Sequence, residues 1–323
     1  MLHYLFSAKA KDPVAQMALG FRHLYGIGVE KSCHAAVIYY EAVASGVIHS
    51  AAMEGGLPVD DAARLLDRRP TDGIKPVPTV EQEMLHYQWF ADHGHAEAAK
   101  AVAHLLIHGE EQDLGAALEY LMQAADMGDG AAMAHIGHAY ASGIAVAQNN
   151  STARSWFLKA AEKGHPSGLF GLGVMYLNGQ GVHVDHQKAV QYFTQAISID
   201  KDWPGRSDAF FYAGFMTLMG WGTPKDAAKG VQWLEGATRL GHLLASYDLA
   251  GLLLARGDNC ERAVKLLKNV AERGWGSLSE ATADFAAGDY SWALYNYLRA
   301  ADAGVELAQH NAAWMISSGL GYG

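Results

Sequence analysis

The chain has 323 residues but only two cysteines, eight prolines and 18% charged residues. Each shortage excludes a class. Two cysteines in this length cannot build a disulfide scaffold. So few prolines exclude a long Pro-rich linker. Long apolar runs are missing as well. The most apolar stretch, Leu243 to Ala255, contains Ser246 and Asp248 and falls short of the ~20 residues a bilayer span needs. The opening MLHYLFSAKAKDPV has no apolar core of signal-peptide length; were the chain a fragment, targeting segments could lie outside it. Lys and Arg number 24 against 34 Asp and Glu, a formal charge of −10. That sign argues against nucleic acid or an anionic membrane surface as the main partner.

Apolar residues and glycine are abundant instead. Half of the residues are hydrophobic, enough to bury a core. The 36 glycines recur at regular intervals. Gly94, Gly128, Gly164, Gly241, Gly274 and Gly304, with Asp200 in one unit, close successive segments 30–41 residues apart, and Gly46 is read as an earlier member. Each interval holds two short helices and two turns.

Columns align inside these units. Eleven residues before each closing position stand Ala35, Ala117, Ala153, Ala189, Gly230, Ala263 and Ala293; four before it stand Ala42, Ala124, Ala160, Ala196, Ala237, Val270 and Ala300. Large residues come between, eight before the close: Ile38, Tyr120, Trp156, Tyr192, Trp233, Leu266 and Asn296. Spacings of three, four and seven put these residues on one helical face. The preceding helix carries a small or apolar residue and then an apolar–small pair, as in Ala15 with Leu19-Gly20, Ala132 with Ile136-Gly137, Gly168 with Leu172-Gly173 and Ala308 with Ala312-Ala313. Gly137 and Gly173 are expected where a neighbouring helix passes closely. Alanine is expected to be tolerated there, since Ala103 and Ala250 fill the same column. Seven residues after the apolar member comes a glycine, among them Gly26, Gly109, Gly143, Gly179, Gly220 and Gly319, suited to a left-handed helix cap. No sustained period-two alternation occurs. The reading is all-α: an α-solenoid of stacked helix pairs, in which each pair buries its apolar face against its neighbours.

The expected organisation is a first repeat over 1–46, an irregular insertion over 47–80 and a continuous array over 81–323. The insertion holds four of the eight prolines, and a short helix is expected in it at Asp60–Asp67. A second break at Asp200–Ser207, with Trp203-Pro204-Gly205, reads as a lengthened turn.

The columns Leu-Gly-x-x-Tyr-x-x-Gly and Ala-x-x-Trp/Tyr-Phe-x-x-Ala-Ala-x-x-Gly resemble the Sel-1-like repeat family. One unit matches closely: Leu172-Gly173, Tyr176, Gly179-Gln180-Gly181-Val182, Ala189, Tyr192-Phe193 and Ala196. Longer segments are similar to its SEL-1/HRD-3 lumenal adaptor branch. They are Gly26–Ala44, Gly241–Gly257, AVKLLKNVAERG at Ala263–Gly274, GDYSWALYNYLRAADAG at Gly288–Gly304 and VELAQHNAAWMI at Val305–Ile316. The resemblance implies a non-enzymatic scaffold in the endoplasmic-reticulum lumen, part of a membrane ubiquitin-ligase complex in ER-associated degradation. Implied partners are the ligase's membrane subunit, lectin-type receptors and misfolded protein clients; a homo-oligomer is left open. The unit Asp208–Gly241 departs from the pattern, with Trp221-Gly222-Thr223-Pro224 in its loop. The alternative is a cytosolic or bacterial-type scaffold for a signalling complex.

Candidate chemistry is sparse. No Gly-Lys-Ser/Thr phosphate loop, Gly-x-Ser-x-Gly elbow or His-Glu-x-x-His helix occurs, so a hydrolase reading has no triad or metal set to stand on, and no cofactor or metal is expected. His95, His165 and His242 each follow a closing residue and read as structural. His135 and His138 share a helical face but lack a third ligand nearby. Cys33 and Cys260 hold matching positions in remote units and are expected to be separate thiols. Asn149-Asn150-Ser151-Thr152 contains two overlapping Asn-x-Ser/Thr acceptors in an expected inter-helix loop. The family resemblance favours N-glycosylation at Asn150. Trp203, Trp221 and Trp275 lie outside the columns and are either exposed anchors or packing between units.

Overall fold

The computed structural model describes residues 2–54, 80–109, 112–199, 202–257, 259–273 and 277–321. Among them every regular element is an α-helix. The N-terminal three are α1 (Leu2–Lys9), α2 (Pro13–Tyr25) and α3 (Cys33–Glu54). Next come α4 (Val80–Asp92), α5 (Ala96–His108), α6 (Leu114–Asp126), α7 (Gly130–Ser142), α8 (Asn150–Glu162), α9 (Pro166–Asn178), α10 (His186–Ser198), α11 (Arg206–Met219) and α12 (Ala227–Arg239). The last five are α13 (Leu243–Ala255), α14 (Cys260–Arg273), α15 (Ser277–Ala286), α16 (Tyr290–Asp302) and α17 (Glu306–Ser317). The helix expected at Asp60–Asp67 lies outside the described residues, as do Asp200, Gly274 and Trp275.

Helices pack in consecutive pairs: α2 on α3, α5 on α6, α7 on α8, α9 on α10, α11 on α12, α13 on α14 and α15 on α16. Short polar side chains set where each second helix starts. Ser32, Asp113, Asn149, Asp185, Asp226, Asn259 and Asp289 each accept a bond from a backbone amide two or three residues on. Such caps satisfy amides that have no partner inside the helix. First helices end on glycine in the left-handed region at Gly26, Gly143, Gly179 and Gly220. Gly109 departs, with φ −70° in extended backbone.

The caps correct the register of the first repeat. Every later cap stands fifteen residues before its closing position, which makes residue 47 the close after Ser32. Ala36, Tyr40, Val43 and Ala44 are accordingly the buried face of α3, while Ile38 is 67% exposed and Ala42 faces solvent. Gly46 closes nothing: α3 runs through it to Glu54, so the boundary expected at residue 46 falls inside a helix. The large column also shifts by one. The buried residue lies seven before the close, at Leu121, Phe157, Phe193, Leu234, Leu267 and Tyr297, whereas Trp156 and Tyr192 are half-buried.

That column and the small member of the apolar–small pair are matched in size. A Cβ on Gly20 would lie 2.9 Å from the Tyr40 ring, one on Gly137 2.7 Å from Phe157, and one on Gly173 2.6 Å from Phe193. Where the small member is Ala103 or Ala250, the large residue is Leu121 or Leu267. Gly214 is the variation: its Cβ would meet Leu234 and the Gly230 carbonyl, both at 3.1 Å, so two glycines let the backbones close in. The expectation that alanine fits at Gly173 is therefore corrected. Alanine belongs opposite leucine, and a fully buried phenyl ring cannot retreat from it. In α17, with no helix following among the described residues, Ala313 is exposed.

The chain divides into two compact units, Met1–Asp72 with Leu243–Gly323, and Gly73–His242. The second is an array of consecutive repeats. The first joins the two ends of the chain. Its core runs from Met17, Tyr40 and Val43 through Val264 and Leu267 to Tyr297 and Met315. Within it α3 packs against α14, and Cys33 and Cys260, the first residues of these helices, form a disulfide with Cα atoms 6.2 Å apart. The expectation of two separate thiols is overturned. Matching positions point apart only between repeats distant in the stack; here the two helices lie side by side with their starts abreast. Lys31 and Glu261 form an ion pair beside the bond at 3.4 Å. Deeper in the same unit Lys268, its side chain only 6% exposed, pairs with Glu272 at 3.1 Å and Glu306 at 3.2 Å.

Candidate binding groove

In the unit Gly73–His242 two adjoining hollows share Ile107, Leu121 and His135 and form one groove across α5, α6 and α7. One end, about 340 Å³, is apolar, walled by Ile107, Leu114, Leu118, Leu121 and Ile144 with His138. The other, about 550 Å³, is also walled largely by apolar atoms, from Ala101, Ala103, Ile107, Leu121 and Trp203, but it carries the charged and imidazole groups: Glu97, Lys100, His104, His108, His135 and Asp202. Helical spacing explains the split. Lys100, His104, Ile107 and His108 recur at four, seven and eight along α5 and so share a face. His104 and His108 contact each other, ring centres 4.4 Å apart.

Lys100 is held on both sides, by Glu97 and by Asp129, each at 2.9 Å. Burial works against its charge, but the two carboxylates outweigh it and the lysine pKa is raised. Asp129 also accepts from the Ala132 amide at the start of α7, and its pKa is lowered. His138 lies edge-on to Phe157, centres 4.9 Å apart, and its pKa is pushed down to about 4, by crowding first and then by His135. His135 is lowered too, by burial and then by Lys100. Both rings are nevertheless more than a third exposed at the groove mouth. Water reaching them tempers the shifts, but both stay below the ordinary value and are neutral at physiological pH. Among the described residues no group of three or more His, Cys, Asp or Glu is arranged to hold a metal ion.

The remaining sequence-flagged residues fall elsewhere. Asn149 caps α8: the Ser151 and Thr152 amides donate to its Oδ1, each at 3.1 Å, and the Ser151 hydroxyl at 2.7 Å. Asn150 is the first residue of α8 rather than part of a loop. It is half-buried, and a Cβ on Gly181 would come within 2.7 Å of its own. Trp203 is 5% exposed against Phe170, so it packs within the unit. Trp221 is 45% exposed and stacks on His186. His95 and His165 stand just before α5 and α9 in extended backbone, and His242 stacks on Phe211 with Nε2 3.2 Å from Asp208. The cap column is written in the sequence as Ser, Asp or Asn at a fixed offset from the close. The groove is not, because its residues belong to different repeats and no single spacing links them.

The Sel1 repeat pattern matches residues 13–45, 96–129, 130–165, 166–199, 207–242 and 287–305, more than half of the chain. The chain belongs to the Sel1 repeat family. Residues 243–286 of this Sel1 chain fall outside the matches, yet α13 and α14 bury Ala245, Leu249, Ala250, Ala263 and Val270 in the repeat's own columns. Among curated proteins it is similar to protein sel-1 homolog 2 of Homo sapiens, 35% identical over 128 residues, 38% of this chain and 18% of that protein. The Mus musculus protein of the same name is 34% identical over 129 residues, 39% of this chain and 18% of its own. The match thus spans under a fifth of the length of these relatives. Among solved structures, a Sel1 repeat protein from Oxalobacter formigenes superposes with a TM-score of 0.51 at 21% identity, covering 80% of this chain and 85% of that one. That likeness shows the fold, an all-helical Sel1 solenoid.

Proposed function

We propose that this Sel1 chain is a non-enzymatic scaffold in the endoplasmic-reticulum lumen, the adaptor of a membrane ubiquitin-ligase complex that receives misfolded proteins and lectin-type receptors for degradation. The observation that carries the reading is the Cys33–Cys260 disulfide. Disulfides persist in oxidising compartments and are rare in reducing cytosol. The bond thus favours a lumenal or secreted setting over the alternative of a cytosolic signalling scaffold. An array of Sel1 repeats suits the role, because small contacts add up over many units. The Asn150 acceptor accords with the same compartment, and we propose glycosylation there. The structure puts the residue half-buried at a helix start, so the glycan must leave by its amide nitrogen.

Affinity purification of the natural protein under non-reducing lysis, followed by mass spectrometry, tests this. Recovery of ligase and lectin-type subunits, a mobility shift with endoglycosidase lost on Asn150→Gln, and a Cys33–Cys260 linked peptide are expected. Cytosolic partners with free thiols at both cysteines would overturn the reading.

A further inference from the structure

We propose that the groove across α5, α6 and α7 is a receptor for an extended peptide segment that carries a large apolar side chain next to a basic one. It rests on the reading of the protein as a binding scaffold, but not on the ligase complex.

The two ends of the groove differ in chemistry, and a ligand must satisfy both. The apolar end, about 340 Å³, has the size and lining of a side-chain pocket, with the neutral His138 ring as its polar group. The charged groups all lie at the other end, and they are acidic in balance. The Lys100 charge is already engaged by Glu97 and Asp129. Asp202 lines the same hollow, and Glu97 is 87% exposed. Among the carboxylates and ammonium groups here, Glu97, Asp129 and Asp202 outnumber the single cation, Lys100, so a basic side chain is favoured and an acidic one repelled. The whole chain's charge of −10 adds to this bias. His104 and His108 add ring N–H groups on the same face of α5, able to donate to the carbonyls of an extended backbone. A ligand wholly apolar would leave the acidic end unmatched.

The test uses the full chain and fluorescein-labelled nine-residue Gly/Ser peptides. One carries Phe followed two residues on by Lys-Lys; others replace Phe with Ser, or Lys-Lys with Glu-Glu. Fluorescence polarisation should show saturable binding of the Phe/Lys peptide and at least tenfold weaker binding of the other two. Ile144→Glu places a charge at the mouth of the apolar end from a position already 52% exposed, so folding should survive; it should weaken binding at least tenfold. Ser142→Arg is the second variant, from an exposed position on the same lining. Paired Glu97→Gln and Asp202→Asn should weaken the Phe/Lys peptide and flatten its salt dependence. Trp292→Ala, on an exposed face of α16, should change nothing. Absence of saturable binding, equal affinity for Lys and Glu peptides, or indifference to both groove variants would each overturn the proposal. Loss of ligase co-purification with intact peptide binding would sink the ligase reading and leave this one standing.

Discussion

The two units solve one problem by different means. In Gly73–His242 each helix pair buries its face against the pair next in sequence, and size matching does the specifying: Gly137 under Phe157, Gly173 under Phe193. Contacts there are local. The other unit must bring Met1–Asp72 to Leu243–Gly323, so its closure has to be encoded across the chain. There the structure adds a covalent bond between Cys33 and Cys260, an ion pair between Lys31 and Glu261, and the buried Lys268 with two carboxylates. Repeats propagate through neighbours, whereas a join between chain ends needs devices of its own.

The largest break in this contrast should come from the disulfide. It spans 227 residues, and closing so long a loop removes much entropy from the unfolded chain. Cys33→Ser with Cys260→Ser should cost the end-joined unit ~2–5 kcal/mol and barely touch the other. Peptide-resolved hydrogen exchange, read with and without reductant, separates the two. Equal loss in both units would abolish the distinction. Next in size is Lys268→Met, expected to cost ~2–3 kcal/mol by leaving Glu272 without its cation. Glu272→Gln added to it should recover most of that. An unchanged denaturation midpoint in the single variant would show the buried pair to be dispensable.

The local unit is tested by size. Gly173→Ala should destabilise by ~1–3 kcal/mol, because its methyl would meet the Phe193 ring, and Gly173→Leu by more. Phe193→Leu in the same chain copies the alanine–leucine pairing of other repeats and should restore much of the loss, a coupling that a double-mutant cycle reads directly. Simple additivity of the two changes would refute size matching. Gly179→Ala is smaller, ~1 kcal/mol: Gly179 sits at φ +71°, where a side chain is strained, and its Cβ would approach Val184.

How much of this was legible follows the same division. The helix pairs, the alanine columns and the caps at Gly143, Gly179 and Gly220 follow from spacing alone, since neighbours in sequence are neighbours in space. The register of α3 is masked in the sequence because Gly46 resembles a closing glycine although it lies mid-helix; the Ser32 cap marks the true register. The pairing of Cys33 with Cys260 was not legible, as periodicity locates a residue within its repeat but not one stack end against another. The groove was hidden for a related reason: His104 and His135 come together only once α5 and α7 are placed.

The smallest expected effect concerns pH, and it should have opposite signs in the two units. His138 and His135 have pKa values below the ordinary 6.5, so the unfolded chain takes up those protons first as pH falls. Unit Gly73–His242 should therefore lose stability as pH drops from about 6.5 towards 4. The solvent at the groove mouth keeps the loss modest. In the end-joined unit Glu272 runs the other way: burial, only partly offset by Lys268, raises its pKa above the usual 4.5. Its folded form keeps a proton that the unfolded chain has lost, so stability there should rise as pH falls towards 4.5. Lys268→Met should steepen that rise, and His138→Gln should flatten the loss in the other unit. Hydrogen exchange of each unit at pH values of about 7 and 5, corrected for the intrinsic exchange rate, reads both slopes. Parallel slopes, or a His138 resonance titrating at or above 6.5, would show that the groove does not hold its histidines neutral.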